Sequence, residues 1–158
     1  MSGTYASQTS VSSEKSRNEI EKTLIRYGAT SFAYGWQDTA AMIGFKAHDR
    51  NIRLVLPMPD RGAFTETPTG RRRSSASEVD KAFEQAVRQK WRALALVIKA
   101  KLEAVESGIV TFEDEFAMHM VLPGGRTVAE HVLPAIESAY DTGTVPPLLQ
   151  IEGGARDE

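Results

Sequence analysis

TSFAYGWQDTAAMIGFKAHDRNIRLVLP, residues 30–57, holds three short runs of strand-forming residues near 30–36, 40–47 and 52–57. Gln37-Asp38-Thr39 and His48-Asp49-Arg50-Asn51 separate them with polar side chains suited to tight turns, and Pro57 and Pro59 stop the third run. The stretch therefore predicts a three-stranded antiparallel meander. Successive side chains of a strand point to opposite faces, so Phe32, Tyr34, Trp36, Ile43, Phe45, Ile52, Leu54 and Leu56 share one face. Ala33, Gly35, Met42, Gly44, Lys46, Arg53 and Val55 share the other. Alternate aromatics on a strand also occur in sheets that stack unpaired bases, but those rings lie exposed beside Lys or Arg. Here the charges are on the opposite face, and the ringed face carries too much apolar area to leave in water, so it reads as core.

The cover for that face follows in the chain. Val79, Phe83, Val87, Trp91, Leu94, Ile98, Leu102 and Val105 advance by three or four residues each, an unbroken apolar seam that predicts one helix over about 77–107. Ser75-Ala76-Ser77-Glu78 opens it and Gly108 closes it. At about 45 Å it is longer than the roughly 36 Å expected across a compact domain of this size, so it crosses the whole domain or protrudes from it. Outside the seam, Ala82, Ala86, Ala93, Ala100 and Ala104 leave room for a second helix to approach closely.

Before the meander, Ser16-Arg17-Asn18-Glu19 reads as a capping box for a first helix with Ile20, Leu24 and Tyr27 in one stripe and Gly28 at its end. After the long helix, Thr111-Phe112-Glu113-Asp114 starts a short helix to about residue 120, with Phe112 and Phe116 facing inward. Thr127-Val128-Ala129-Glu130 starts a last helix to about Tyr140, which Pro134 is expected to kink. Residues 58–75 read as a long loop, of a length that is often functional or mobile. The expectation is a single α+β domain over 12–143, a loose Ser/Thr-rich stretch over 1–11 and a flexible acidic tail over 144–158.

Composition narrows the function classes. The chain has 158 residues, no cysteine and no apolar run approaching the roughly 20 residues that span a bilayer, so disulfides, thiolate chemistry and a membrane role are not expected. The N-terminal residues lack the charged and apolar regions of a secretion signal, which points to the cytoplasm. The net charge of −2 conceals a strong sorting: residues 1–49 balance, residues 50–101 carry +7 and residues 102–158 carry −9. Such asymmetry implies an interaction, either with an outside polyanion or between the two charged thirds, within one chain or between subunits of an oligomer.

Lys81, Arg88, Arg92 and Lys99 are spaced 7, 4 and 7 on the long helix, which puts them within about 40° of one line. With Arg71, Arg72 and Arg73 at the helix entrance, this stripe can track a phosphate backbone. A long helix also solvates its outer face with Lys and Arg, here beside Glu84, and Glu103 and Glu106 continue the line with opposite sign. Arg71-Arg72-Arg73-Ser74-Ser75 resembles a basophilic kinase target, though a basic run before a capped helix explains it more simply.

Catalytic signatures are sparse. Glu115 and His119 have a spacing that places two metal ligands on one helical face, and Glu130-His131 offers a third, but the zincin pattern is missing and Glu113, Asp114 and Glu115 suit a helix start. No P-loop, G-x-S-x-G or G-x-G-x-x-G occurs, so neither a metal nor a cofactor is expected, and an enzyme built on His119 is the remote reading.

Thr69-Gly70-Arg71-Arg72-Arg73, then Lys90-Trp91-Arg92-Ala93-Leu94-Ala95-Leu96-Val97-Ile98-Lys99-Ala100-Lys101-Leu102-Glu103-Ala104-Val105 and Gly108-Ile109-Val110-Thr111-Phe112-Glu113, resemble uncharacterised small proteins of phages, prophages and environmental sequence collections. The likeness runs from about residue 11 to 149. It carries no activity, cofactor or site residue, and implies an accessory protein that binds nucleic acid or a protein. Nucleic acid is the expected ligand, through Arg71, Arg72, Arg73, Lys81, Arg88, Arg92 and Lys99. A protein-interaction or oligomeric module with paired charges is the alternative.

Overall fold

The computed structural model describes the backbone of residues 3–37 and 39–146, and the side chains of 13–37 and 39–146. It is an α+β arrangement: α1 (Gly3–Arg26), β1 (Ser31–Gln37), β2 (Ala40–Ala47), β3 (Arg50–Pro57), α2 (Ala76–Glu106), α3 (Phe112–Phe116) and α4 (Val128–Thr142), with single 3₁₀ turns at Arg61–Phe64 and Ala117–His119. The strands form one antiparallel sheet in the order β1-β2-β3.

Both pairings keep register without a bulge, aligning Phe32 with Phe45 and Phe45 with Ile52, and Tyr34 with Ile43 and Ile43 with Leu54. The alternation therefore falls as the residue types demand. His48 and Asp49 form the tight β2–β3 turn with φ of 50° and 57°. Two left-handed residues in succession match the twist of a hairpin. His takes positive φ more readily than most non-glycine residues, and the His48 ring stacks on Phe112 with centroids 4.5 Å apart.

α1 and α2 cover the aromatic face side by side. Arg17 of α1 lies 4.5 Å over the Tyr34 ring, and Tyr34 meets Trp91 of α2 at 5.4 Å. The phenol of Tyr27 donates to the Glu103 carboxylate, while Lys15 and Glu19 lie beside Arg88 and Arg92, so the two helices run in the same direction. Val87, Trp91 and Ile98 of the predicted seam are fully buried, with Ile20 and Leu24 from α1 and Ile43 and Ile52 from the sheet. Ser75 caps α2 by accepting from the Glu78 N–H, and Gly108 ends it with φ of 71°. α2 runs for 31 residues and buries side chains along its length from Val79 to Leu102.

Three sequence expectations shift. α1 begins at Gly3, so the Ser16–Glu19 capping box lies inside the helix and backbone expected to be loose is helical. Neither Gly nor Pro occurs from Thr4 to Tyr27, and extending a helix already anchored at buried Ser13, Ile20 and Leu24 costs far less than starting one. The short helix ends at Phe116 and tightens into a 3₁₀ turn through His119, because the chain must leave it extended at Met120 to pair with Ile52 of β3. The 58–75 loop is folded: the Arg73 N–H donates to the Thr65 carbonyl and the Thr67 N–H to the Arg71 carbonyl, around a turn closed by Gly70. Phe64 packs edge-on against Phe83, and Arg61 pairs with Asp80 at 2.7 Å, fixing the loop to α2. Of the expected tail, residues from Pro147 onward lie outside the described residues.

Candidate nucleic-acid interface

Helical geometry decides which way the cations of α2 point. Trp91 and Ile98 face the sheet, and the line through Lys81, Arg88, Arg92 and Lys99 is displaced by about a quarter turn from them. All four side chains are exposed. Among the described residues, none of the four forms an ion pair, neither with Glu84 nor with Glu113, Asp114 or Glu115.

The acidic third is tied to the basic third elsewhere. Lys101 pairs with Glu115 at 2.6 Å in a half-buried contact, and Arg53 of β3 reaches Glu130 of α4 at 2.8 Å and the Gly125 carbonyl at 2.9 Å. Glu103, at the end of the stripe, accepts from Tyr27. Two ion pairs thus join the basic and acidic thirds within the chain, at Arg53 and at Lys101, and neither uses a residue of the stripe.

Alongside the stripe, α1 and α2 enclose a groove of about 580 Å³. Arg88, Arg92, Gln85 and Gln89 form one wall, and Lys15 and Glu19 of α1 face them. Lys15 is a neighbour that the sequence reading did not pick out. The available signal was the spacing of Lys15, Lys22 and Arg26, 7 then 4, which repeats on α1 the spacing found on α2. Glu14, Glu19 and Glu21 interleave with those three, so α1 lacks the uninterrupted positive line of α2.

The three loop arginines separate into two kinds. Arg71 and Arg72 are exposed. Arg73 is half-buried and donates to the backbone carbonyls of Phe64, at 2.7 Å, and Glu66, closing the loop on itself. The Ser74 hydroxyl donates to the Glu78 carboxylate at 3.0 Å and the Ser75 hydroxyl accepts from the Glu78 N–H, so both serines serve the start of α2.

The other chemistry-bearing residues are dispersed. Among the described residues, no three His, Asp or Glu side chains converge to hold a metal ion. Glu115 is held by Lys101, and the end of α3 at Phe116 breaks the helical spacing to His119. Burial pushes the His119 imidazole below its usual range, with Lys101 adding to the shift and Glu115 opposing it. Glu130 belongs to the capping box of α4 with Thr127, and its neighbour His131 is exposed. Phe32, Tyr34 and Trp36 face the helices, so the sheet offers no stacking platform. No helix among the described residues is long and apolar enough to cross a membrane. No protein-family model, curated protein or solved structure matches the chain.

Proposed function

We propose that the protein binds nucleic acid through the sugar–phosphate backbone, using Lys81, Arg88, Arg92 and Lys99 along α2, with Lys15 across the groove and Arg71 and Arg72 at the entrance of the helix. The observation that carries this reading is that the four cations of the stripe are exposed and form no ion pair, while Glu115 and Glu103 of the acidic third are engaged by Lys101 and Tyr27. Lys81 and Lys99 are 18 residues apart, about 27 Å along the helix, which suits several consecutive phosphates. Contacts of this kind position a protein on a polyanion without reading its sequence. A small accessory protein of phage type is the setting that agrees with it.

The experiment is a titration with mixed-sequence DNA and RNA at several salt concentrations. Four phosphate contacts predict a fall of log affinity with log salt of slope about −3 to −4. Absence of any complex at about 50 mM salt, where electrostatic attraction is strong, overturns the reading.

A further inference from the structure

One edge of the sheet is occupied and the other is open. On the outer side of β3, the Val121 N–H donates to the Asn51 carbonyl at 2.8 Å and Met120 bridges Ile52. On the outer side of β1, no described residue pairs with the strand. The direction of its free groups follows from the ladder. The Met58 N–H donates to the Thr39 carbonyl at 2.8 Å, which sets the odd-numbered residues of β2 toward β3 and the even-numbered ones toward β1. Ser31, Ala33, Gly35 and Gln37 are aligned with those even residues, so the N–H and C=O groups of Phe32, Tyr34 and Trp36 point outward.

Proteins blunt such an edge with charge, proline, a bulge or a very short strand. β1 has seven residues, none charged and none proline, and its register is unbroken. Its aromatic side chains are half-buried, whereas Ile43, Phe45, Ile52 and Leu54 on the same face are buried, so α1 and α2 leave this margin of the core partly open.

We propose that β1 pairs antiparallel with β1 of a second copy about a two-fold axis at Tyr34, making one six-stranded sheet. The strand itself selects the occupant. Ser-Phe-Ala-Tyr-Gly-Trp-Gln reads polar, aromatic, small, Tyr, small, aromatic, polar from either end. An isologous contact requires that symmetry, because residue i meets j and j meets i. Centred on Tyr34, the pairing sets Tyr34 against Tyr34 of the second copy and each Phe32 against Trp36. The residues so aligned are the ones whose backbone groups point outward, which gives six new hydrogen bonds and a ladder of aromatic pairs.

The edge is about 23 Å long. Strand pairing alone falls short of the ~800 Å² per partner of a stable interface, so the flanks of the two α1 helices must add to it. On the flank of α1 turned away from α2, in helical register with Arg17 and Glu21, Ile25 is 61% exposed. Because the axis is perpendicular to the sheet, both helical layers lie on one side, and the two basic stripes with them.

Sedimentation equilibrium of the full chain from about 1 to 200 µM, the range of a weak dimer, tests this. The expected mass rises toward twice the 17.3 kDa of one chain. The pair A33E/G35E places carboxylates opposite one another across the axis and is expected to sediment as a monomer. A33K/G35E places opposite charges there and is expected to restore the dimer. Both positions are open to a larger side chain, since Ala33 is exposed and nothing lies within 4 Å of a Cβ at Gly35. In a chain without cysteine, oxidised S31C/Q37C forms only intermolecular disulfides through this pairing, because the two positions are at opposite ends of one strand. A single-chain mass at every concentration, a folded A33E/G35E that remains dimeric, or no covalent dimer from S31C/Q37C overturns the proposal. The first of these leaves the edge to an extended segment of another protein. Should A33E/G35E fail to fold, the cysteine variant decides.

Discussion

Arg53 of β3 and Glu130 of α4 meet at 2.8 Å, and the same Glu130 oxygen accepts from the N–H and hydroxyl of Thr127. One carboxylate thus closes the capping box of α4 and ties that helix to the sheet. The Thr127 N–H holds the Glu130 carboxyl below the usual carboxylate range, with the Thr127 hydroxyl, Arg53 and Arg126 adding to the effect. A carboxyl lowered in the folded state contributes stability that is present above its unfolded value, about 4.3, and lost as pH falls through the lower folded value. Acidification below about pH 4 is therefore expected to loosen α4, read as faster hydrogen exchange over 128–142. E130Q should remove that acid step, and an unchanged pH profile would refute the assignment.

His119 gives a second pH dependence at a different place. Its imidazole is lowered by burial, so the unfolded chain takes up a proton more readily than the folded one. Stability is expected to be full above the unfolded value of about 6.5 and to decline as pH falls through the lower folded value. Urea midpoints between pH 8 and pH 5 should show the decline in the native chain and lose this component in H119Q.

Trp91 is fully buried at the centre of the seam, against Tyr34. W91A is expected to cost about 3–5 kcal/mol, the usual range for deleting a large buried aromatic side chain. Urea denaturation followed by circular dichroism measures it, and a loss below 1 kcal/mol would contradict this packing.

Arg88 and Arg92 share the groove wall yet hold nothing in place within the chain. R88A/R92A is expected to leave the thermal midpoint within about 2 °C of the native value, as for exposed residues without partners. In the salt titration the same variant should flatten the slope by about 2 and weaken every sequence alike. A large loss of stability with an unchanged slope would instead make the stripe a structural feature.

The loop arginines should divide in the same assay. R73A removes the hydrogen bonds to Phe64 and Glu66 and is expected to destabilise the 61–75 loop, seen as local proteolysis or faster exchange. R71A/R72A should keep the fold and reduce affinity only.

Much of this molecule was legible in order along the chain. The meander and its two faces followed from period-two alternation, and α2 from a seam of period 3.6 bounded by Ser75 and Gly108, because these patterns depend only on local backbone geometry. The stripe was equally legible, since helical spacing alone aligns Lys81, Arg88, Arg92 and Lys99.

Whether those four cations face solvent or carboxylates was a question of tertiary placement. Lys101 met Glu115, Arg53 met Glu130 and Tyr27 met Glu103, pairs separated by 14, 77 and 76 residues, which no local pattern encodes. The early end of α3 at Phe116 and the open edge of β1 were likewise decided by packing and strand order. Local sequence determined the elements and the faces they present, because propensity and periodicity act within a few residues. The fold decided which faces and charges remained free, because burial and ion pairing depend on what distant segments bring against them.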